Sequence, residues 1–296
     1  MGDDSNTSLT DVQVEYVLVP LDGSEFALRA MPTARVLAER LRAEVQTVSV
    51  AREGDADRLR AESSAALRVE VGSERVFVAT EGEPHEVIAR RASELDRCVV
   101  CLSTHGRGRL HGAVIGSVAR SVLQHSAQPM IALGPAADNP GWSRRPRGWP
   151  EPLSVRRVVA CVDGSGTSEQ VLPLAAAWAR ALSMSMTILT VIEDTLPPLR
   201  PERANSRYAD HPDAESYVDS LVEQWRTDVP DLDGEVCRSP TGPASGVRAH
   251  LDQRPAGLLA VTTHARSGLQ RVRLGAAAAD IVHASTAPCL VAPVQA

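Results

Sequence analysis

The chain contains no lysine: all 31 of its Lys-or-Arg positions are arginine. Two kinds of chemistry leave with that absence. No lysine can reach phosphates from a Walker-type loop, and none can form a Schiff base. Aromatic residues are scarce too, with four Trp, three Tyr and two Phe in 296 residues. So few rings cannot furnish a stacking platform for nucleic-acid bases. They also leave the cores to Val, Leu, Ala and Ile, which favours parallel strands under helices over a β-sandwich with aromatic plugs. The net formal charge is −6 and the isoelectric point lies near 5.8. Nothing there draws the chain to a polyanion, so nucleic acid is not expected as a partner. No stretch approaches the roughly 18 apolar residues of a membrane span. The acidic, polar start MGDDSNTSLTDVQ lacks the apolar centre of a signal peptide. A cytoplasmic location without membrane attachment is the expectation.

The five cysteines are Cys98, Cys101, Cys161, Cys237 and Cys289. Four lie within apolar runs or at their edges, where a free thiol behaves as a small hydrophobe. Cys98 and Cys101 form a C-x-x-C inside RCVVCL, but a strand sends residues three apart to opposite faces. No second cysteine pair exists to complete a zinc site, so no metal is expected.

What is present is a repeat. YVLVPLDGSEFALRAMPTARVLAERL near the start returns as RVVACVDGSGTSEQVLPLAAAWARAL, with Asp22 and Asp163 equivalent. LSTHGRGRLHGAVIGSVARSVLQHSAQPMIALGP returns as VTTHARSGLQRVRLGAAAADIVHASTAPCLVAPV, pairing His105 with His264, Gly116 with Gly275 and Pro129 with Pro288. The offset is 141 residues for the aspartates and 159 for the later landmarks. The Pro- and Arg-rich stretch from Thr195 to Asp213 has the length and composition to supply the difference as a surface loop. AADNPGWSRRPRGWPEP, with four prolines and little periodicity, reads as a linker. Duplication of one module explains this register: a first domain over 1–137, a linker over 138–153 and a second domain over 154–296.

Within the first half, apolar patterning predicts strands at Tyr16–Pro20, Val45–Val50, Arg75–Ala79, Cys98–Leu102 and Pro129–Leu133. Helices are predicted at Glu25–Leu41, Arg60–Glu70, Pro84–Glu94 and Ile115–His125. Strict alternation of strand and helix means right-handed crossovers and a doubly wound α/β fold with a parallel sheet. Such folds bind ligands outside the carboxyl ends of the strands, at a topological switch point. Two segments leave strand ends in this way: LDGS after the first strand and STHGRGRLHGAVIGS after the fourth.

In the second of these, glycines at 106, 108, 112 and 116 allow close backbone approach and converging N–H groups. Gly116-Ser117 opens a helix whose unpaired amides and dipole favour phosphate. The Ser117 hydroxyl and the charge of Arg107 or Arg109 could add to that. The structural alternative is a capped loop, with Ser117 as N-cap and glycines as turn formers. Asp22 likewise reads two ways, as a carboxylate for a base amine or sugar hydroxyl, or as an N-cap. Recurrence of DGS at the same point of both modules favours the first. His105 and His264 have no carboxylate or nucleophile beside them in sequence, so they read as loop-shaping and no catalytic residue is assigned. His85, at a helix start, reads as solvent-facing.

At these two loops the chain resembles a tandem universal stress protein, over nearly all its length except the N-terminal tail, the linker and the insertion. The resemblance implies a five-stranded parallel sheet between helices in each half, of the adenine nucleotide α-hydrolase type. ATP-binding members of that family carry Gly-x-x-Gly, nine residues, then Gly-Ser or Gly-Thr. Here Ser103, Thr104, His105 and Gly106 open the motif, nine residues run from Arg107 to Ile115, and Gly116-Ser117 close it. The first glycine alone is replaced, by Ser103. By resemblance Asp22 contacts the adenosine next to Leu21, Pro20 and Val50 flank the base, and Val118 continues the phosphate loop.

In the second half Thr262 and Ala265 replace both early glycines, and Ala276 follows Gly275 without a hydroxyl. Asp163 and Val191 remain, with Cys161 in place of Pro20. Losing one charge-assisted hydrogen bond costs on the order of 1.5–3 kcal/mol, so this second site is expected to be weaker or empty. The implied function is an ATP- or adenine-nucleotide-binding, stress-response regulatory protein whose occupancy, with or without Mg2+, alters its conformation or partners. The alternatives are a nucleotide-free scaffold, or a slow ATP-hydrolysing or nucleotidyl-transferring enzyme. The chain lacks the SGGxDS loop and the HxGH signature of the enzymes. The halves are expected to pair within the chain through PMIALGP and PCLVAPV; a monomer and a dimer of such units both fit.

Overall fold

The computed structural model describes residues 12–104, 115–125, 128–137, 155–193, 213–265, 272–273 and 275–292. The first half runs β1 (Tyr16–Pro20), α1 (Glu25–Leu28), α2 (Ala30–Leu41), β2 (Glu44–Val50), α3 (Ala56–Leu67), β3 (Val76–Ala79), α4 (Pro84–Glu94), β4 (Cys98–Ser103), α5 (Ser117–His125) and β5 (Met130–Leu133). The second half repeats it as β6 (Arg157–Val162), α6 (Gly166–Glu169), α7 (Val171–Ala181), β7 (Ser185–Glu193), α8 (Ala214–Trp225), β8 (Leu232–Ser239), α9 (Pro243–Gln253), β9 (Leu258–Thr262), α10 (Ala276–Ala284) and β12 (Cys289–Ala292). A short ribbon, β10 (His264–Ala265) with β11 (Val272–Arg273), stands between β9 and α10.

All ten long strands join one sheet in the order β3-β2-β1-β4-β5-β12-β9-β6-β7-β8. Each half is therefore a five-stranded parallel sheet of the expected doubly wound kind. The seam is the antiparallel pairing of β5 with β12, in register Leu290 opposite Ile131 and Val291 opposite Met130. These strands are wholly buried, so each half covers the other's apolar sheet edge.

Both faces of the sheet are covered, and the strands are apolar on both sides accordingly. Val17, Val19, Val99 and Cys101 pack with α2 and its neighbours on one face. Leu18, Cys98, Val100 and Leu102 pack with α4 and α5 on the other. Cys98 and Cys101 thus face opposite layers, as the period of a strand requires. Burial pushes the Cys98 and Cys289 thiols up to about 12 from an ordinary 9.0. The unfolded chain releases those protons first, so their contribution is complete below pH 9 and is lost as pH rises toward 12. Cys98→Ala is expected to flatten this alkaline decline, read from urea melts at about pH 8, 10 and 11.

Several strand ends and the start of α5 shift by one or two residues, and three differences are larger. The helix predicted over Glu25–Leu41 breaks after Leu28, and its counterpart breaks after Glu169. Pro32 and Pro173 lack the N–H that would bond to the carbonyl four residues back, which is Leu28 in one half and Glu169 in the other. The helix expected over Arg60–Glu70 starts at Ala56 instead, and it stops where Arg68 turns left-handed at φ 60°. Asp213 is no part of a loop, because its carboxylate caps α8 by accepting from Ser216 N at 2.7 Å. β7 starts 141 residues after β2, whereas α8 starts 158 after α3, so the extra length enters between β7 and α8. The stretch that supplies it, 194–212, lies outside the described residues, as do most of the linker and the first-half loop 105–114.

Candidate functional site

In the order β3-β2-β1-β4-β5 the crossovers diverge on either side of β1 and β4, which makes their shared carboxyl edge the switch point. Leu18 lies opposite Val100, and Pro20 lies opposite Val48. The register brings the DGS turn after β1, the end of β2 at Val50 and the end of β4 at Ser103 to one edge of the sheet. Pro20 and Val50 are half-buried there, while Leu21 is buried and donates its N–H to Val48 O at 2.8 Å.

The DGS turn has a local logic. Asp22 Oδ1 accepts from Ser24 N at 2.9 Å, and Gly23 sits at φ 78°, a left-handed position that suits glycine. Ser24, rather than Asp22, is the N-cap, accepting from Ala27 N at 3.2 Å. By accepting from Ser24 the aspartate shapes the turn that leads into α1.

The second loop is pinned at both described ends. Thr104 is fully buried; its N–H and its hydroxyl both donate to Leu133 O, at 2.9 and 3.2 Å. Gly116 N donates to Thr104 O at 2.8 Å, closing the loop at its neck. Arg120 N then donates to Gly116 O at 2.9 Å as the first bond of α5. Gly116 is therefore the residue before the helix, and Ser117 is its exposed first residue rather than the N-cap. The Gly116 N–H is thereby spent on Thr104. The amides without an intrahelical acceptor are those of Ser117, Val118 and Ala119. Sequence reading missed Ala119, although counting three residues into the helix would have found it. An ideal Cβ at Gly116 would meet Thr104 O at 3.2 Å, a tight approach that suits glycine. Gly106 and Arg107 fall outside the described residues.

The second half repeats the frame with changed chemistry. Asp163 Oδ1 accepts from both Ser165 N at 3.1 Å and Ser165 Oγ at 2.6 Å. Tyr217 on α8, where the first half has Leu59, donates its hydroxyl to Glu169 at 2.9 Å. Burial, then the Glu169 carboxylate, holds that phenol proton well above its ordinary range. Val191 and Thr262 are buried, and Thr263 repeats the role of Thr104 by donating to Ala292 O. Gly275 is the N-cap of α10 but has no side chain to offer, and Ala276 follows it. His264 and Ala265 are paired with Arg273 and Val272 in the ribbon, and β11 lies against α5 of the first half. His85 is half-buried instead of solvent-facing.

A family profile described as "Universal stress protein family" matches residues 14–133 and again 154–293. No curated protein matches the chain. Among solved structures, a universal stress protein from Archaeoglobus fulgidus DSM 4304 aligns with a TM-score of 0.64 at 14% identity, covering 95% of this chain and 99% of that one. A functionally unknown protein from Pseudomonas aeruginosa PAO1 aligns with a TM-score of 0.61 at 16% identity, covering 98% of this chain and 95% of that one. At such identity the likeness concerns the fold. No helix among the described residues is long and apolar enough to cross a membrane.

Proposed function

The chain belongs to the universal stress protein family, and from that premise we propose that its first half binds ATP or another adenine nucleotide as a regulatory ligand. One observation carries the reading: the bond from Gly116 N to Thr104 O ties the start of α5 to the end of β4, the strand next to β1, which the DGS turn follows. The amides of Ser117, Val118 and Ala119, with the Ser117 hydroxyl, suit phosphate oxygens through hydrogen bonds and the helix dipole. Asp22 suits a sugar hydroxyl or base amine, between Pro20 and Val50 as walls for the base. Ser103, Gly106 and Arg107 complete the loop in this reading, and Thr104 serves through its backbone. Mg2+ would arrive on the phosphates.

Asp163, Val191, Thr262 and Gly275 outline the corresponding second site, weaker because Ala276 offers no hydroxyl and Ser165 already takes two hydrogen bonds to Asp163. Binding without cleavage fits a chain with no assigned base for a water, so occupancy is read by partners or by the other half. The protein is expected to co-purify with adenine nucleotide, identified by mass spectrometry of the released ligand. Added ATP should raise its melting temperature, since a ligand at 100 times its Kd stabilises the native state by about 2.7 kcal/mol. No shift at millimolar ATP in nucleotide-stripped protein would favour the scaffold reading instead.

A further inference from the structure

β8 is an outer strand of the sheet, and its residues alternate between the two faces. Glu235 and Cys237, two apart, therefore point the same way, toward α9. From that helix His250 comes down between them. Its Nδ1 lies 3.1 Å from Glu235 Oε2 and 3.8 Å from Cys237 Sγ. One donor atom from each of the three residues falls within 4.8 Å of the other two.

The duplication shows that the fold does not require this chemistry. By register, Glu235 and Cys237 stand where the first half has Phe77 and Ala79, opposite Leu189 and Val191 in place of Val48 and Val50. His250 is the eighth residue of α9, and Arg91 is the eighth of α4. In the first half that arginine covers the Phe77 ring at 5.2 Å and donates to Gln46, an ordinary apolar and cation–π contact. The second half has exchanged all three positions for metal-ligating side chains.

We propose that Glu235, Cys237 and His250 bind one divalent transition-metal ion of the zinc class. Zinc bond lengths of about 2.0–2.1 Å to nitrogen, 2.0–2.2 Å to oxygen and 2.3 Å to sulfur put tetrahedral ligands roughly 3.2–3.7 Å apart. The observed 3.1 and 3.8 Å lie close to that spacing. Nitrogen, sulfur and oxygen donors together select zinc over magnesium or calcium, which take oxygen alone.

Charge also balances. On binding, the Cys237 thiol releases its proton to solvent, and thiolate plus carboxylate offset the two charges of the ion, with His250 a neutral ligand. Such neutrality matters because His250 is 96% buried, being 4% exposed. Its Nε2 is enclosed with no hydrogen-bond partner. Glu235 now also meets Arg254, which can turn to Asp233, already 3.0 Å from its other terminal nitrogen. Glu235 and Cys237 are both partly exposed, which gives solvent access for a fourth ligand.

The test uses the full chain stripped with a chelator and titrated with Co2+ and Zn2+. Cobalt is expected to bind at one equivalent with a thiolate-to-metal charge-transfer band and the visible bands of a tetrahedral ion, and zinc should displace it. Cys237→Ser should abolish the charge-transfer band and weaken zinc by at least ~100-fold, beyond the 10–100-fold typical of outer-shell changes. Glu235→Gln should keep the band and weaken the ion. Cys98→Ala, which removes a thiol of the first half, should leave both unchanged. No charge-transfer band in the unaltered chain, or the same band in folded Cys237→Ser, overturns the assignment.

Discussion

Gly116→Glu is expected to strip adenine nucleotide from the purified protein and weaken ATP binding by at least ~100-fold, or about 2.7 kcal/mol. The substitution sets a carboxylate at the entrance to α5, next to the amides of Ser117, Val118 and Ala119. There it competes for the helix dipole and repels phosphate. The fold should survive, because among the described residues a Cβ at 116 meets only Thr104 O, at 3.2 Å, and a shift of a few tenths of an ångström relieves it. Gly116→Ala carries the same Cβ without the charge and should cost binding less than ~10-fold. The pair separates steric tightness at the neck from electrostatic exclusion. Measured by isothermal titration and by mass spectrometry of co-purified ligand, unchanged nucleotide in folded Gly116→Glu would remove the first-half site.

The largest stability effect is expected at Gly134→Ala, at the seam between the halves. A Cβ built there would lie 2.0 Å from Val282 O and 3.3 Å from the His283 Cα. Both belong to α10 of the second half, while Gly134 directly follows β5 of the first. The obstacle is backbone, so no rotamer change relieves it. α10 must move off the seam, and the loss should reach about 3 kcal/mol or more. At this chain length that means a melting temperature lower by roughly 6–12 °C. A drop under about 1 kcal/mol would mean that the halves approach each other less closely at the seam than described.

Much of this architecture was legible beforehand because the signals are local. Alternation of apolar strands and periodic helices follows from side-chain direction, and it foretold the order of elements in the first half, which the repeat extends to the second. The opposite faces of Cys98 and Cys101 followed from the same rule. The broken helices did not emerge, even though Pro32 and Pro173 stand in plain view, since a proline early in a helix is also an ordinary first-turn residue. The candidate site was partly legible. DGS and Gly116-Ser117 were singled out, yet the amide of Gly116 proved to bond with Thr104, and Ala119 was missed.

What the sequence determined by itself was the duplication, the parallel doubly wound class and the two loops that flank each switch point. Those rest on periodicity and on repeated landmarks, which need no knowledge of distant partners. Only the tertiary structure decided that β5 meets β12 antiparallel, that Gly116 N bonds to Thr104 O, and that His250 descends onto Glu235 and Cys237. Each of these joins residues from separate elements, and their spacing is set by sheet register and helix docking, which no local pattern encodes.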